Sequence, residues 1–173
     1  MGQRGARHRF MPYRLVFPGG AVAPGDAAMP AAAEPRPDVL AMLSRGARPR
    51  LARALVCAAA RELQEETGLT LGDAPHLDRV DYLCRAVTPP SSPIRFNARF
   101  LVVGAQDVSG AIQGSGELES LRYLSVAEAM ALDLALVTRE VLERLQHWLA
   151  LPPADRAART RLDVFKERRW RLE

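Results

Sequence analysis

Leu51 to Thr67 carries the strongest periodic pattern in the chain: Leu51, Leu55, Ala58, Ala59 and Leu63 recur at helical spacing, and Gly68 stands where a left-handed residue ends a helix. Arg14-Leu15-Val16-Phe17 is a short apolar run cut off by Pro18-Gly19-Gly20, which predicts a strand running into a turn. Residues 21–37 are rich in Ala, Pro and Gly and read as loop, and Pro37 to Gly46 has an early proline, helical apolar spacing and a closing glycine, a short helix. Arg79–Val87 and Ile94–Val103 read as two strands joined by a Pro/Ser-rich connection. In the second, Phe96, Ala98, Phe100 and Val102 alternate with Arg95, Asn97, Arg99 and Leu101. A further strand is predicted at Leu118–Leu124. Ser125 and Glu128 form a capping box that opens a short helix, and a last helix runs from about Thr138 to Ala150 with Val141, Leu142, Leu145, Trp148 and Leu149 on one side.

Strands, then a helix, then strands, then helices predict an α/β fold of the mixed sandwich kind, not a doubly wound parallel sheet. The 173 residues suit one domain with a full core, and 48% apolar with 25% charged residues is ordinary for a soluble globular chain. No apolar run approaches the ~20 residues that span a bilayer, and Met1–Arg9 has charge but no apolar stretch after it, so neither a membrane partner nor a secretory leader is expected. Cys57 and Cys84 are too few for a disulfide framework or a zinc site and read as buried thiols of a cytoplasmic protein.

The stretch Arg61-Glu62-Leu63-Gln64-Glu65-Glu66-Thr67-Gly68-Leu69 changes the picture. Glu62, Glu65 and Glu66 project from roughly one face at a helix C-terminus, where the macrodipole disfavours negative charge by up to about 1 kcal/mol each. A solvated charged face with an ordinary Arg61–Glu65 pair is one account. A bound cation is the other, and hard anionic oxygens suit Mg²⁺ or Mn²⁺.

This stretch matches every specified position in the second half of the Nudix box, Arg-Glu-apolar-x-Glu-Glu-x-Gly-apolar, a match expected by chance on the order of once in 10⁷ starting positions. The first half is displaced: Phe17-Pro18-Gly19-Gly20 resembles the opening turn, and Gly20 to Asp26 gives Gly, five residues, then Asp in place of Glu. Between Asp26 and Arg61 lie 34 residues where the standard box has seven, and counting back directly finds Arg53 and Ala47 at the Glu and Gly places. The chain thus resembles a Nudix hydrolase whose box is split by an insertion, and is similar in layout to the acyl-coenzyme-A-cleaving subgroup.

The resemblance implies an α/β/α sandwich with a mixed sheet. It also implies a first strand well ahead of the turn, of which Met1–Arg4 reads as the tail. One Nudix domain is expected over 1–173, with an insertion at about 27–50 acting as a flap beside the site and a basic C-terminal tail at about 152–173. The implied activity is metal-dependent hydrolysis of the diphosphate linkage in a nucleoside diphosphate derivative, an acyl-coenzyme A or a dinucleotide being favoured. By position, Glu62 and Glu66 are the implied metal ligands, with Glu65 a further or water-mediated one and Gly19 offering its carbonyl. Arg61 is expected to orient Glu65. Glu117, with Glu119 beside it, is the candidate general base; Arg95 and Arg99 are candidates for holding phosphate. Met11, Phe96 and Phe100 are candidates for lining a pocket for the rest of the substrate, core packing being the commoner fate of such residues. His8, His76 and His147 lack metal-ligand spacing and receive no role.

Other classes stay open at this level. A catalytically silent Nudix-fold binding module is one, weighed against by the intact glutamates. The formal charge of +4 raises a basic RNA-binding protein as another, although no recognition helix, aromatic RNA motif or zinc finger accompanies it. A surface for small phosphate-bearing molecules explains the same excess, as does arginine-rich codon usage in the tail. A homodimer is one assembly open to such a domain, and nothing in the residues selects it.

Overall fold

The computed structural model describes residues 1–5, 13–114 and 116–173; His8 and Met11 lie outside them. In chain order the elements are β1 (Gly2–Arg4), β2 (Leu15–Val16), α1 (Pro37–Ser44), α2 (Pro49–Thr67), β3 (Val80–Val87), β4 (Asn97–Val103), β5 (Leu118–Glu119), α3 (Val126–Met130), α4 (Leu136–Ala150), α5 (Pro153–Ala157), β6 (Asp163–Lys166) and β7 (Arg169–Leu172). They form two sheets. One is three-stranded and antiparallel, in the order β2-β1-β5; the other is four-stranded and mixed, in the order β4-β3-β6-β7, with β3 and β6 parallel.

The larger sheet carries core on both faces. Tyr82 and Val80 of β3 pack with Val39, Met42 and Leu43 of α1 and with Ala52, Val56 and Cys57 of α2. Leu83 and Cys84 pack on the other side with Val141 and Trp148 of α4. A smaller cluster of Leu15, Ala129, Leu134 and Leu142 holds α3 and α4 against β2. Among the described residues no helix is long and apolar enough to cross a membrane.

Several expectations change in detail. The buried stripe of α2 is Ala52, Ala54, Val56, Cys57, Ala58 and Ala60, while Leu51 is 40% exposed. The helix is enclosed on more than one side, and small side chains let its backbone approach its neighbours, which a leucine stripe would not. The strand expected at Leu118–Leu124 ends at Glu119, because Ser120 takes φ 51° and turns the chain out of the ladder. The strand expected from Ile94 begins at Asn97, leaving Ile94 and Phe96 exposed, and Leu149 of α4 is also exposed. Phe100 packs edge-on against Phe17, 5.9 Å between centroids, as core. Within the segment 27–50, expected as a flap, α1 buries Val39 and Leu43 almost completely against α2 and β3, while most of the remaining positions are exposed or half-buried. Residues 152–173 include α5 and a β6–β7 hairpin, with β6 hydrogen-bonded along β3. Gly2–Arg4 is the central strand of the smaller sheet.

Candidate active site

The last turns of α2 meet the turn after β2. Gly68 ends the helix in the left-handed conformation, φ 74°, with its N–H donating to the Gln64 carbonyl at 2.9 Å. Facing it, Gly19 holds φ 149°, a conformation L side chains rarely adopt, and its N–H donates to Glu66 Oε2 at 2.7 Å. A Cβ on Gly20 would fall 2.3 Å from Glu62 Oε1. The paired glycines therefore let main chain sit directly against two carboxylates, and any side chain at Gly20 would displace one of them. The carbonyl of Gly19 was the atom expected to matter; the contact shown is made by its N–H.

Asp26, the aspartate at the displaced box position, closes the split. Arg61 donates from Nε to Asp26 Oδ1 at 2.8 Å and from Nη2 to Oδ2 at 3.2 Å, and the Ala23 N–H adds a bond to Oδ2 at 2.6 Å. Asp26 is 3% exposed; the Arg61 hydrogen bond is the main force holding its carboxyl below the usual range, with burial opposing and the Ala23 N–H assisting. From Nη1 the same guanidinium reaches Glu62 Oε1 at 2.8 Å and Glu65 Oε2 at 2.7 Å, and from Nη2 the Ala21 carbonyl at 3.1 Å. Arg61 thus touches Glu65 as expected, and it also joins Glu62, Asp26 and the glycine turn into one unit. Its pKa is raised, first by Asp26. The motif marked Asp26 as a stand-in for Glu; no local signal showed that it would pair with an arginine 35 positions on.

Glu62, Glu65, Glu66 and Glu117 line one cleft of about 440 Å³ together with Gly19, Gly20 and Arg4. Burial pushes the Glu66 carboxyl above the ordinary carboxylate range, against the pull of the Gly19 N–H; the charges of Glu62 and Glu117 push it further and Arg4 draws it back. Four carboxylates in one cleft supply only hard oxygen donors, and a divalent cation there would relieve the repulsion on Glu66. Among the described residues, no three acidic, His or Cys side chains converge as a ready chelate, since Glu62 and Glu65 both turn toward Arg61. The donor chemistry fits a Mg²⁺-like ion that retains several waters and takes one or two carboxylates directly.

The other predicted residues lie elsewhere. Arg99 donates to the carbonyls of Asn97 at 2.6 Å and Gly46 at 2.7 Å, and exposed Arg95 precedes β4; neither lines the cleft. Backbone carbonyls engage the Arg99 guanidinium, so the structure does not bring it together with the cleft glutamates. Glu119 pairs in register with Gln3 and is not among the lining residues. Arg4, which does line the cleft, was missed, because a strand residue far upstream of the box has no periodic or motif signal that would place it there.

The fold is a mixed α/β sandwich that sets a carboxylate-bearing helix end against a double-glycine turn. Residues 54–145 match the NUDIX domain family, more than half of the sequence, and the chain belongs to the Nudix family. It is a Nudix pyrophosphohydrolase, and such enzymes generally use divalent metal ions. The fold is similar to the crystal structure of a NUDIX hydrolase from Alicyclobacillus acidocaldarius, with TM-score 0.59 and 23% identity over 82% of this chain and 80% of that one; at this identity the likeness concerns fold alone. A comparison with curated proteins found no match.

Proposed function

We propose that the protein hydrolyses the diphosphate linkage of a bulky nucleoside diphosphate derivative, an acyl-coenzyme A or a dinucleotide in preference to a nucleoside triphosphate. The observation that carries the reading is the Asp26–Arg61 bond, which rejoins the two halves of the box around Glu62 and Glu65 while Gly19 fixes Glu66. The insertion that separates those halves supports the likeness to the acyl-coenzyme-A-cleaving subgroup. We read residues 1–173 as one Nudix domain. A cytoplasmic location is part of the proposal, supported by two buried, unpaired cysteines.

In this reading Glu62 and Glu66 would hold Mg²⁺ or Mn²⁺, with Glu65 assisting directly or through water and the Gly19 carbonyl as a further candidate ligand. The ion, when bound, neutralises diphosphate charge and acidifies a water. The chain's own groups do the rest. Glu117 takes a proton from the attacking water as its oxygen bonds to phosphorus; the P–O bond to the bridging oxygen breaks, and that oxygen leaves on the second phosphate. Arg61 ties Glu62 and Glu65 to Asp26, and taking up an ion would require a carboxylate oxygen not engaged by that guanidinium.

The test compares kcat/KM for coenzyme A esters, ADP-sugars, dinucleoside polyphosphates and nucleoside triphosphates with Mg²⁺ and with Mn²⁺. A clear preference for triphosphates refutes the substrate class and leaves the family standing. Full activity in excess chelator would refute the site.

A further inference from the structure

We propose that Arg4 grips the phosphoryl oxygens of the diphosphate, making it the substrate-binding cation of the cleft; this rests on the diphosphate-hydrolysis reading above. Among the described residues lining the cleft, Arg4 is the single cationic side chain, set among Glu62, Glu65, Glu66 and Glu117. An anionic diphosphate entering there meets four carboxylates. A bound cation can offset part of that charge, and the phosphoryl oxygens still require donors. Arg61, the other nearby guanidinium, is held by Asp26, Glu62, Glu65 and the Ala21 carbonyl. Removing it for substrate would dismantle the unit that joins the box.

Arg4 is built differently. It sits on the central strand of the smaller sheet, opposite Leu118 in the ladder and so beside Glu117. Its N–H donates to the Arg14 carbonyl at 3.1 Å and its carbonyl accepts from the Tyr13 N–H at 2.9 Å. The main chain therefore fixes the position from which Arg4 reaches the cleft. Arg4 takes part in a further interaction within the chain. Five N–H donors in a planar fork leave room for more, and the fork matches a pair of phosphoryl oxygens. Its charge is felt at Glu66, where it opposes the push of Glu62 and Glu117.

The experiment titrates methylenediphosphonate, which cannot be hydrolysed, into the full chain with Mg²⁺ present and reads affinity by calorimetry. Wild type, Arg4→Ala, Arg4→Lys and Glu117→Gln are compared, together with KM and kcat on the best diphosphate substrate and melting temperature. Arg4→Ala should weaken the analogue at least tenfold and raise KM by a similar factor. Arg4→Lys should fall between it and wild type, and Glu117→Gln should bind the analogue as wild type does while losing kcat. Because the ladder bonds of Arg4 are main-chain, both Arg4 variants should melt near wild type; if Arg4→Ala does not fold, Arg4→Lys carries the comparison. Unchanged analogue affinity in the Arg4 variants, or a loss confined to kcat, would overturn the proposal and make Arg4 a positioning residue for Glu117. A wild type that binds no analogue overturns it as well. Absence of turnover on every diphosphate with binding still lost in Arg4→Ala would sink the hydrolytic reading and leave the grip on diphosphate intact.

Discussion

Helix α2 packs on the four-stranded sheet and ends against the turn that leaves the three-stranded one, and the two sheets are built to opposite specifications. In the larger one, Tyr82, Leu83 and Cys84 of β3 are almost fully buried between the α1–α2 layer and α4. In the smaller one the strands are two or three residues long, Leu15, Val16 and Leu118 supply the buried apolar side chains, and the remaining positions carry Arg4 and lead to Gly19, Gly20 and Glu117. Helix α2 runs from one regime to the other: Ala52, Val56 and Cys57 sit in the core, and Glu62, Glu65 and Glu66 face the cleft. On the proposed function, stability and chemistry fall at different ends of one helix, and substitutions should separate them.

The largest expected effect falls at the cleft end. Glu66→Gln should lower turnover by about two orders of magnitude or more, the scale of losing transition-state charge stabilisation. It should leave the melting temperature equal or slightly higher, since burial and like charges already disfavour the ionised carboxylate and the amide oxygen can still accept from Gly19. A marked loss of stability would show that the two ends are not separable. At the core end, Val56→Ala removes two buried carbons and leaves a cavity, at a cost of about 1.5–2.5 kcal/mol in urea unfolding, with kcat per folded molecule unchanged. Asp26→Asn tests the seam. It should cost about 1–2 kcal/mol, less than breaking a fully buried pair because Arg61 is partly exposed, and should lower activity severalfold as Arg61 loses its anchor.

A smaller effect follows from pH. The Asp26 carboxyl is depressed in the folded chain, so its contribution is present above the unfolded carboxylate value near ~3.9 and is lost as pH falls through the lower folded value. Chemical denaturation between pH 5 and 2 should show that loss, and Asp26→Asn should flatten it. The smallest expectation concerns the thiols: burial raises Cys57 and pushes Cys84 up to about 12, so neither should react with a disulfide reagent until the chain is unfolded. A fast-reacting native thiol would mean that the core opens locally.

What could be read from the sequence follows from how local each signal is. The end of α2 at Gly68, strand β3 and the Ser125–Glu128 capping box, in which both reciprocal bonds form, depend on residues within one element. The three glutamates and the Arg61–Glu65 contact are legible for the same reason. The Asp26–Arg61 bond and the arrival of Arg4 in the cleft arise from tertiary folding and leave no local trace. The β6–β7 hairpin was hidden by its turn. Glu167 and Arg168 adopt φ 54° and 61°, the handed turn that Asn-Gly usually announces, and they do so with two charged residues. Alternating arginines in β7 then make the segment look like a basic tail.

The parallel seating of β6 between β3 and β7 bears on the order in which the molecule can be made. During synthesis β3 and β4 emerge early and can pair at once, whereas the strand that covers the other edge of β3 follows roughly 75 residues later, about 4–15 s at usual elongation rates. For that interval the edge of β3 at Arg85–Val87 lacks its pairing strand, the kind of template on which unrelated strands can add. The Arg85–Val87 edge of β3 is thus the part of the sheet whose pairing partner is made well after its own strand.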